Sequence, residues 1–521
     1  MEIRTRFITP ALLAAGWELK HICEERYITK DRIQIQGKKA ARKPNTAKRA
    51  DYILYRCHGV PLAVIEAKDN NHTVRDGIQQ ALGYAEMLDV PFVFSSNGDG
   101  FLFHDRSVTE GDVEIELPLD AFSSPETLWK KYCQYKGLAS ETEIKAAEQP
   151  YYDYGDGMEP RYYQQIAINR TVEAVAKGEK RMLLVMATGT GKTYTAFQIV
   201  HRLWSMGLKK RILYIADRDI LINQPMGSEF RFFNTGDKMM RIRRQKFDKS
   251  IATSKEIFFA LYQGVTDSDP EADFYKEFSP EFFDFVIVDE CHRGSAEENS
   301  AWRRVLEYFH KATHLGMTAT PKETKTVSNI EYFGESIYTY SLKQGIDDGF
   351  LSPYKVIRFG LNVDLDGWRP EEGKLDVQGQ PVEDRIYNRK DFDRNLIIAE
   401  RTKAVARRVT EFLKMTDRYA KTIVFCVDID HAARMRQELI NLNADLVHEH
   451  GTQKPYIVKI TSGDQEGILQ LDNFKSQLLE DRTPTIATTS KLLTTGVDTK
   501  TTKVIVLDSN IRSMTEFKRC A

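Results

Sequence analysis

Three groups of residues in this chain have the types and spacing for phosphate chemistry. The first is Thr188-Gly189-Thr190-Gly191-Lys192-Thr193, which follows the apolar run Met182 to Met186. After it, Ala196, Phe197, Val200, Leu203 and Trp204 recur at helical spacing, and Gly207 stands where a helix stops. A strand, a glycine loop, Lys-Thr and a helix form a phosphate cradle. Loop N–H groups and the positive helix end face the β-phosphate, Lys192 neutralises β/γ oxygens, and the Thr193 hydroxyl ligates Mg²⁺. Glycine at 189 and 191 lets the backbone approach the phosphate and take positive φ. The full pattern has Gly or Ala five residues before Gly191, where this chain has Met186. The second group is Asp289-Glu290-Cys291-His292 at the end of Phe282 to Val288, the most apolar strand-like run in the chain. Asp289 suits holding Mg²⁺ through water, and Glu290 suits orienting a hydrolytic water. Zinc on Cys291 and His292 lacks two further ligands at suitable spacing. The third group is Asp51 with Glu66-Ala67-Lys68. Two carboxylates at adjacent strand ends can hold a divalent cation, and Lys68 shares the strand face of Glu66. Such a set suits phosphodiester cleavage, with Lys68 positioning or activating a metal-bound water.

Elements must carry these groups. A helix is expected over residues 5 to 23. Strands are expected over 51 to 56 and 62 to 65, joined at His58-Gly59, followed by a helix over 73 to 88 and strands over 92 to 95 and 100 to 104. Residues 138 to 160 read as a polar linker, and a helix starts near Arg161. Buried strands are expected over 212 to 216, 257 to 263 and 282 to 289. Residues 364 to 393 read as an exposed insertion. A second α/β alternation begins at Lys421, with strands over 422 to 427, 456 to 461, 485 to 488 and 504 to 507 and helices over 430 to 442 and 466 to 479.

With 521 residues, the chain suggests about three domains. Hydrophobic content of 41% and charged content of 29% are those of a soluble globular protein, and a net charge of -1 leaves any DNA contact to local patches. Lys38 to Arg49 is such a patch, readable either as a DNA contact or as a solvated loop. Six scattered cysteines without a C-x-x-C pair favour reduced thiols and a cytoplasmic setting. No apolar run is long enough to span a membrane, and the opening residues MEIRTRF do not read as a signal peptide.

Asp51 with Glu66-x-Lys68 is similar to the active site of PD-(D/E)xK nucleases. Gln80 and Tyr84 match the Q-x-x-x-Y accessory motif of members that travel with helicase motors, and Glu2 with Thr5-Arg6 resembles their E-x-x-T-R opening. Arg161-x-Tyr163-Gln164 resembles the Q motif of superfamily 2 helicases, which implies that Gln164 reads adenine. Asp217-Arg218 resembles motif Ia of that family, and Tyr262-Gln263 stands in the place of motif Ib. Thr318-Ala319-Thr320-Pro321 matches motif III, which couples nucleotide state to DNA grip. Ser490 to Asp498 resembles motif V, implying that Thr494 and Thr495 touch DNA phosphates while Gly496 and Asp498 approach the nucleotide. Arg512 to Phe517 looks like the beginning of motif VI, whose G-R-x-x-R ending does not follow.

The order resembles the motor subunit of type I restriction enzymes. That resemblance implies an α/β protein with a PD-(D/E)xK nuclease domain over 1–145 and a linker over 146–160. RecA-like motor domains with parallel sheets would occupy 161–340 and 341–521. It further implies ATP and Mg²⁺ as cofactors, double-stranded DNA as substrate, and methyltransferase and specificity subunits as partners. The activity implied is ATP-driven DNA translocation with Mg²⁺-dependent cleavage. Family members are commonly longer, so a truncated product or fragment is expected. Two alternatives stand beside this reading. One is an ATP- and DNA-binding fragment without turnover, because motif VI is cut short; the other is a helicase whose N-terminal domain is only structural.

Overall fold

The computed structural model describes residues 3–36, 39–155, 158–291, 296–319, 323–324, 327–360, 369, 399–461, 464–476, 482–490, 499 and 501–509. Thr320, His292, Thr494, Thr495, Gly496, Asp498 and the motif VI-like stretch lie outside them. Met1–Gln34 and Ala41–Pro353 form one compact unit, and Ile35–Ala40 with Tyr354–Ala521 form another.

Two large sheets organise the first unit, besides a two-stranded pair of Glu323–Thr324 and Val327–Ser328. Strands β1 (Ile22–Tyr27), β2 (Arg49–Cys57), β3 (Val60–Ala67), β4 (Phe92–Ser96), β5 (Gly100–Asp105) and β6 (Glu114–Pro118) lie in that order. Only β3 and β4 run parallel, and helix α2 (Ile78–Leu88) makes the crossover between them. β3 is buried from Val60 to Glu66 because both sheet faces are covered, one by a cluster around Leu12, Trp17 and Phe94, the other by α2.

The N-terminal helix is shorter than the apolar spacing predicts. A wide turn, Arg4–Ile8, leads into α1 (Thr9–Ala14), the chain breaks at Gly16 (φ +93°), and residues 22 to 27 pair with β2 instead. Trp17 donates its indole N–H to the Ser123 carbonyl, 2.9 Å, so tertiary packing overrides the helical spacing there. Helix α2 likewise begins at Ile78, not Thr73, because the Asp76 carboxylate takes the Thr73 N–H in a turn before it.

The second sheet is formed by β7 (Arg181–Met186), β8 (Ile212–Ala216), β9 (Met239–Arg241), β10 (Ile257–Leu261), β11 (Phe285–Asp289), β12 (Thr313–Thr318) and β13 (Ser336–Tyr340). Their order is β9-β10-β8-β11-β12-β7-β13, and every pair is parallel. Such strands read as unbroken apolar runs because helices cover both faces. Each fully buried Leu, Ile or Val in β7 and β11 contributes roughly 1.5–3 kcal/mol. β11 begins at Phe285; Phe282 and Phe283 join an aromatic cluster with Phe258 and Phe278. Gln263 belongs not to β10 but to the short helix Tyr262–Val265 after it.

Residues 138 to 160 are not an open polar stretch. They contain α4 (Glu141–Glu148), which follows α3 (Pro125–Lys136), and a tyrosine segment packed on the helices α5 (Tyr162–Ala176) and α6 (Lys192–Ser205). The fully buried Arg202 of α6 donates to the Ala146 and Ala147 carbonyls at 2.9 and 3.0 Å and to Asn169 Oδ1 at 2.6 Å. A buried cation is costly unless its donors find acceptors, and the negative end of α4 provides them. Tyr151 and Asn169 both donate to the Gly59 carbonyl, at 3.1 Å, which fixes the β2–β3 turn against α5. Gly59 has φ +90°, and a Cβ there would lie 1.4 Å from the Tyr151 ring. A second tie joins Asp89, after α2, to Arg170 of α5 through two hydrogen bonds of 2.8 and 3.1 Å.

The other unit has a parallel sheet of β14 (Thr422–Cys426), β15 (Ile457–Lys459), β16 (Ile486–Thr489) and β17 (Val504–Asp508), in the order β15-β16-β14-β17. Helices Ala399–Met415, Ile429–Leu442 and Gln465–Lys475 accompany it, close to the expected alternation. No described helix is long and apolar enough to cross a membrane, and the five described cysteines are free thiols.

His314 in β12 is buried between the Phe309 carbonyl and the Tyr332 hydroxyl, at 3.0 and 2.9 Å, and burial lowers its pKa from 6.5 to about 4. Between those values the unfolded chain binds a proton that the folded chain refuses, so stability is complete above pH 6.5 and is lost as pH falls toward 4. Thermal melts from pH 7 to 4.5 should therefore show a falling Tm, with this histidine contributing on the order of 3 kcal/mol at the acid end. His314→Gln should flatten that part of the profile; an identical slope would contradict the assignment.

Candidate active sites

The phosphate loop joins β7 to α6, and Gly189 and Gly191 take φ +78° and +81° as the cradle requires. Gly191 is the residue before the helix, so the first N–H groups of α6 face the loop. Thr190 is buried, with its hydroxyl on the Ala187 carbonyl at 2.6 Å, whereas Thr188 and Gly189 are exposed. Lys192 and Thr193 form the first turn of α6 and are partly buried.

Gln164 lies against this loop, but both ends of its amide are bonded to protein. It accepts the Arg161 N–H at 2.9 Å and donates to the Thr190 carbonyl at 2.9 Å. Here it acts as a brace for the loop, a different arrangement from the adenine contact implied by its motif. Tyr163 donates to the same Thr190 carbonyl at 3.0 Å, and the Arg161 guanidinium donates to the Tyr163 hydroxyl and covers the Phe350 ring. A Cβ on Gly191 would sit 2.4 Å from Gln164 Nε2, in a backbone conformation that also disfavours a side chain. Strain of about 1–3 kcal/mol follows, so Gly191→Ala should weaken nucleotide binding by about tenfold or more while leaving the melting curve cooperative. Wild-type affinity in equilibrium binding would contradict this.

β11 brings Asp289 and Glu290 to the same sheet edge. Glu290 Oε1 lies 3.2 Å from Lys192 Nζ, with both side chains largely buried. Glu290 has φ +53°, a left-handed backbone that is uncommon outside glycine and concentrates at functional sites. Asp289 receives the Tyr214 hydroxyl at 2.6 Å and its neighbour's N–H at 2.9 Å. Burial and the adjacent Glu290 push the Asp289 carboxyl upward, and Lys192 opposes them. Two buried acids beside one lysine carry surplus negative charge, which suits an Mg²⁺–phosphate group. Tyr214 was not foreseen because a tyrosine within β8 reads as core.

The remaining expected contacts are spread along the same carboxyl edge. Asp217 and Arg218 follow β8, and Gln263 after β10 donates to the Asp217 carbonyl at 3.2 Å. Thr318 ends β12 and is fully buried.

The other site lies on the N-terminal sheet. The register of β2 on β3, with Tyr52 opposite Ile65, sets Asp51 beside Glu66. Asp51 Oδ2 accepts the Ala67 N–H at 2.8 Å. Lys68 Nζ lies 3.1 Å from Glu66 Oε1 and 3.1 Å from Gln80 Oε1, and Gln80 donates to the Tyr84 hydroxyl at 2.9 Å. Glu66, Lys68, Gln80 and Tyr84 therefore form one chain of contacts, and the Ala67 N–H holds Asp51 on the neighbouring strand beside it. Burial and the Asp51 charge raise the Glu66 pKa to about 7, against Lys68. Among the described residues Glu66 Oε2 is buried without a hydrogen-bond partner, an acceptor suited to a cation. No described group of three or more His, Cys, Asp or Glu could hold a metal ion, but Mg²⁺ commonly takes one or two carboxylates and completes its shell with water and phosphate. The residues present fit that ion. Arg4, which carried no motif signal, reaches Asp51 at 3.6 Å and Glu25 at 2.6 Å.

A two-carboxylate and lysine site on one sheet, and a phosphate loop facing an acidic pair on another, define a nuclease-like domain joined to a helicase-like nucleotide-binding domain. Residues 1–112 match the family "Type I restriction enzyme R protein N terminus (HSDR_N)", and residues 157–323 match "Type III restriction enzyme, res subunit". The chain is 51% identical over 99% of its length to the EcoAI type I restriction enzyme endonuclease subunit of Escherichia coli, and spans 62% of that relative. It is 27% identical to the EcoKI endonuclease subunit over 89% of its length, and spans 44% of it. A solved fragment described as an HsdR subunit of a type I restriction enzyme from Vibrio vulnificus YJ016 superposes with TM-score 0.78 at 40% identity, covering 99% of this chain and 88% of that one. The chain belongs to the HsdR family of type I restriction enzyme subunits.

Proposed function

We propose that this chain is an ATP-dependent double-stranded DNA translocase and Mg²⁺-dependent endonuclease, working in the cytoplasm with methyltransferase and specificity subunits. The observation that carries the reading is the 3.2 Å approach of Lys192 to Glu290, which joins phosphate loop and acidic pair in one nucleotide site. We divide the chain into a nuclease domain over 1–145, a connecting segment over 146–160, and motor domains over 161–340 and 341–521. Gly189 to Thr193 bind the ATP phosphates, and Lys192 moves from Glu290 to the β/γ oxygens when they enter. That exchange frees Glu290 to orient the hydrolytic water, and Asp289 and Thr193 would hold the Mg²⁺ that accompanies the nucleotide. Arg161 and Gln164 fix the loop. Asp217, Arg218 and Gln263 lie toward the DNA, while Thr318, buried at the end of β12, and Thr320, Thr494, Thr495, Gly496 and Asp498 retain the roles their motifs imply.

At the N-terminal site Asp51 and Glu66 would hold a divalent cation. Bound there, it supplies Lewis-acid polarisation of the scissile phosphate and a more acidic water. Lys68, held by Glu66 and Gln80, orients the attacking water, and Tyr84 fixes Gln80. Phosphate release with and without duplex DNA, in the presence of the two partner subunits, tests the motor half of this reading. DNA-stimulated release is expected; a rate that never exceeds the protein-free background would overturn it and leave a binding module without turnover.

A further inference from the structure

Edge strand β9 runs parallel to β10, with Arg241 opposite Phe259, so the residues after it emerge on the sheet's carboxyl edge beside the Leu261 to Gly264 turn. This short strand and its following turn are densely basic, reading Arg241, Arg243, Arg244, Lys246 and Lys249. The arginines divide into two kinds. Arg241 donates to Asn223 Oδ1 at 2.6 Å and pairs with Asp219, holding the helix that follows Asp217-Arg218. Arg244 donates to the Gly264 and Thr266 carbonyls at 3.2 and 3.0 Å and to Asp267 at 2.7 Å, holding the Gln263 turn. These two are positioning residues for both loops, which the Gln263–Asp217 bond already links.

Arg243 and Lys246 differ. Both are exposed, and neither has an ion-pair partner among the described residues, although acidic side chains engage the cations on either side of them. The Lys246 N–H bonds to the Arg243 carbonyl at 3.1 Å, which keeps the two cations on one tight turn. Unengaged cations held on an ordered turn suit a polyanion whose charges repeat along a backbone.

We propose that Arg243 and Lys246 form an accessory strip that binds backbone phosphates of duplex DNA, extending the contact beyond Asp217-Arg218 and Gln263. The proposal rests on the reading that these loops face DNA. The strip carries no base-reading geometry, so it adds affinity and salt sensitivity without sequence preference.

The test is the salt dependence of binding of the intact chain to a short random-sequence duplex. Arg243→Ala with Lys246→Ala should lower the magnitude of the log–log salt slope by about 1 to 2 and weaken binding by about tenfold at low salt, leaving nucleotide affinity unchanged. Arg243→Lys with Lys246→Arg should restore both. An unchanged slope with the double alanine variant would overturn the strip. Arg218→Ala and Gln263→Ala, measured alongside, separate the two failures. If they weaken binding while the double variant does not, only the strip falls. If none of them does, the DNA-facing edge falls with it.

Discussion

Replacing Lys192 with alanine is expected to remove nucleotide turnover and most phosphate affinity. The residue opens helix α6 directly behind the loop, and its ammonium lies within salt-bridge distance of the buried Glu290. Without it, Asp289 and Glu290 would confront incoming phosphate oxygens with uncompensated charge, and the Asp289 carboxyl, which Lys192 holds down, would rise further. Losing one preorganised charge at developing negative oxygens costs about 10² to 10³ in rate, and weaker binding adds to that. Glu290→Gln should behave differently. It keeps the side chain's size and removes only charge and water-orienting ability, so nucleotide should still bind while phosphate release falls by about 10² or more. Measuring nucleotide affinity and phosphate release on the same samples separates the two. Equal loss of binding in both variants would contradict the division of labour between the lysine and the glutamate.

Lys68→Ala is expected to abolish DNA cleavage while leaving ATP hydrolysis intact. Lys68 Nζ sits between Glu66 and Gln80, so its removal takes away the group that orients water and also the cation that restrains the raised Glu66 pKa. General acid–base and orienting groups of this kind contribute about 10² to 10⁴. Gln80→Ala should cost less, because Lys68 would keep Glu66 and lose only the Gln80–Tyr84 arm that fixes its direction. A helicase whose N-terminal domain is only structural would show no change in either variant.

Much of the site was legible because phosphate chemistry constrains both residue type and spacing. The loop at 188–193 and the acidic pair at 289–290 follow apolar runs that the sheet buries on both faces, so chemistry and secondary structure marked the same places. The Asp51, Glu66 and Lys68 group was legible through the strand-end position of Glu66, and Gln80 and Tyr84 through their spacing on a helix. What stayed hidden depends on contacts across the fold. Arg4 reaches Asp51 only because the chain breaks at Gly16 and returns as β1, a break that helical spacing did not register. Tyr214 looks like any buried aromatic until β11 places Asp289 beside it. The burial of Arg202 against the end of α4 made an ordered segment out of residues that composition reads as a linker. Strands β9 and β13 are too short or too mixed in polarity to stand out, although β9 carries the arginines that hold two neighbouring loops.

The central claim is that one compact unit carries two chemically separate sites, an ATP site at Lys192 and Glu290 and a cutting site at Asp51, Glu66 and Lys68. Cleavage of a circular duplex and phosphate release, followed in parallel for Lys68→Ala and Lys192→Ala with Mg²⁺, ATP and the partner subunits present, test it most directly. The expected result is that Lys68→Ala releases phosphate at the wild-type rate without cutting, whereas Lys192→Ala does neither. Cutting by Lys68→Ala at the wild-type rate would contradict the account.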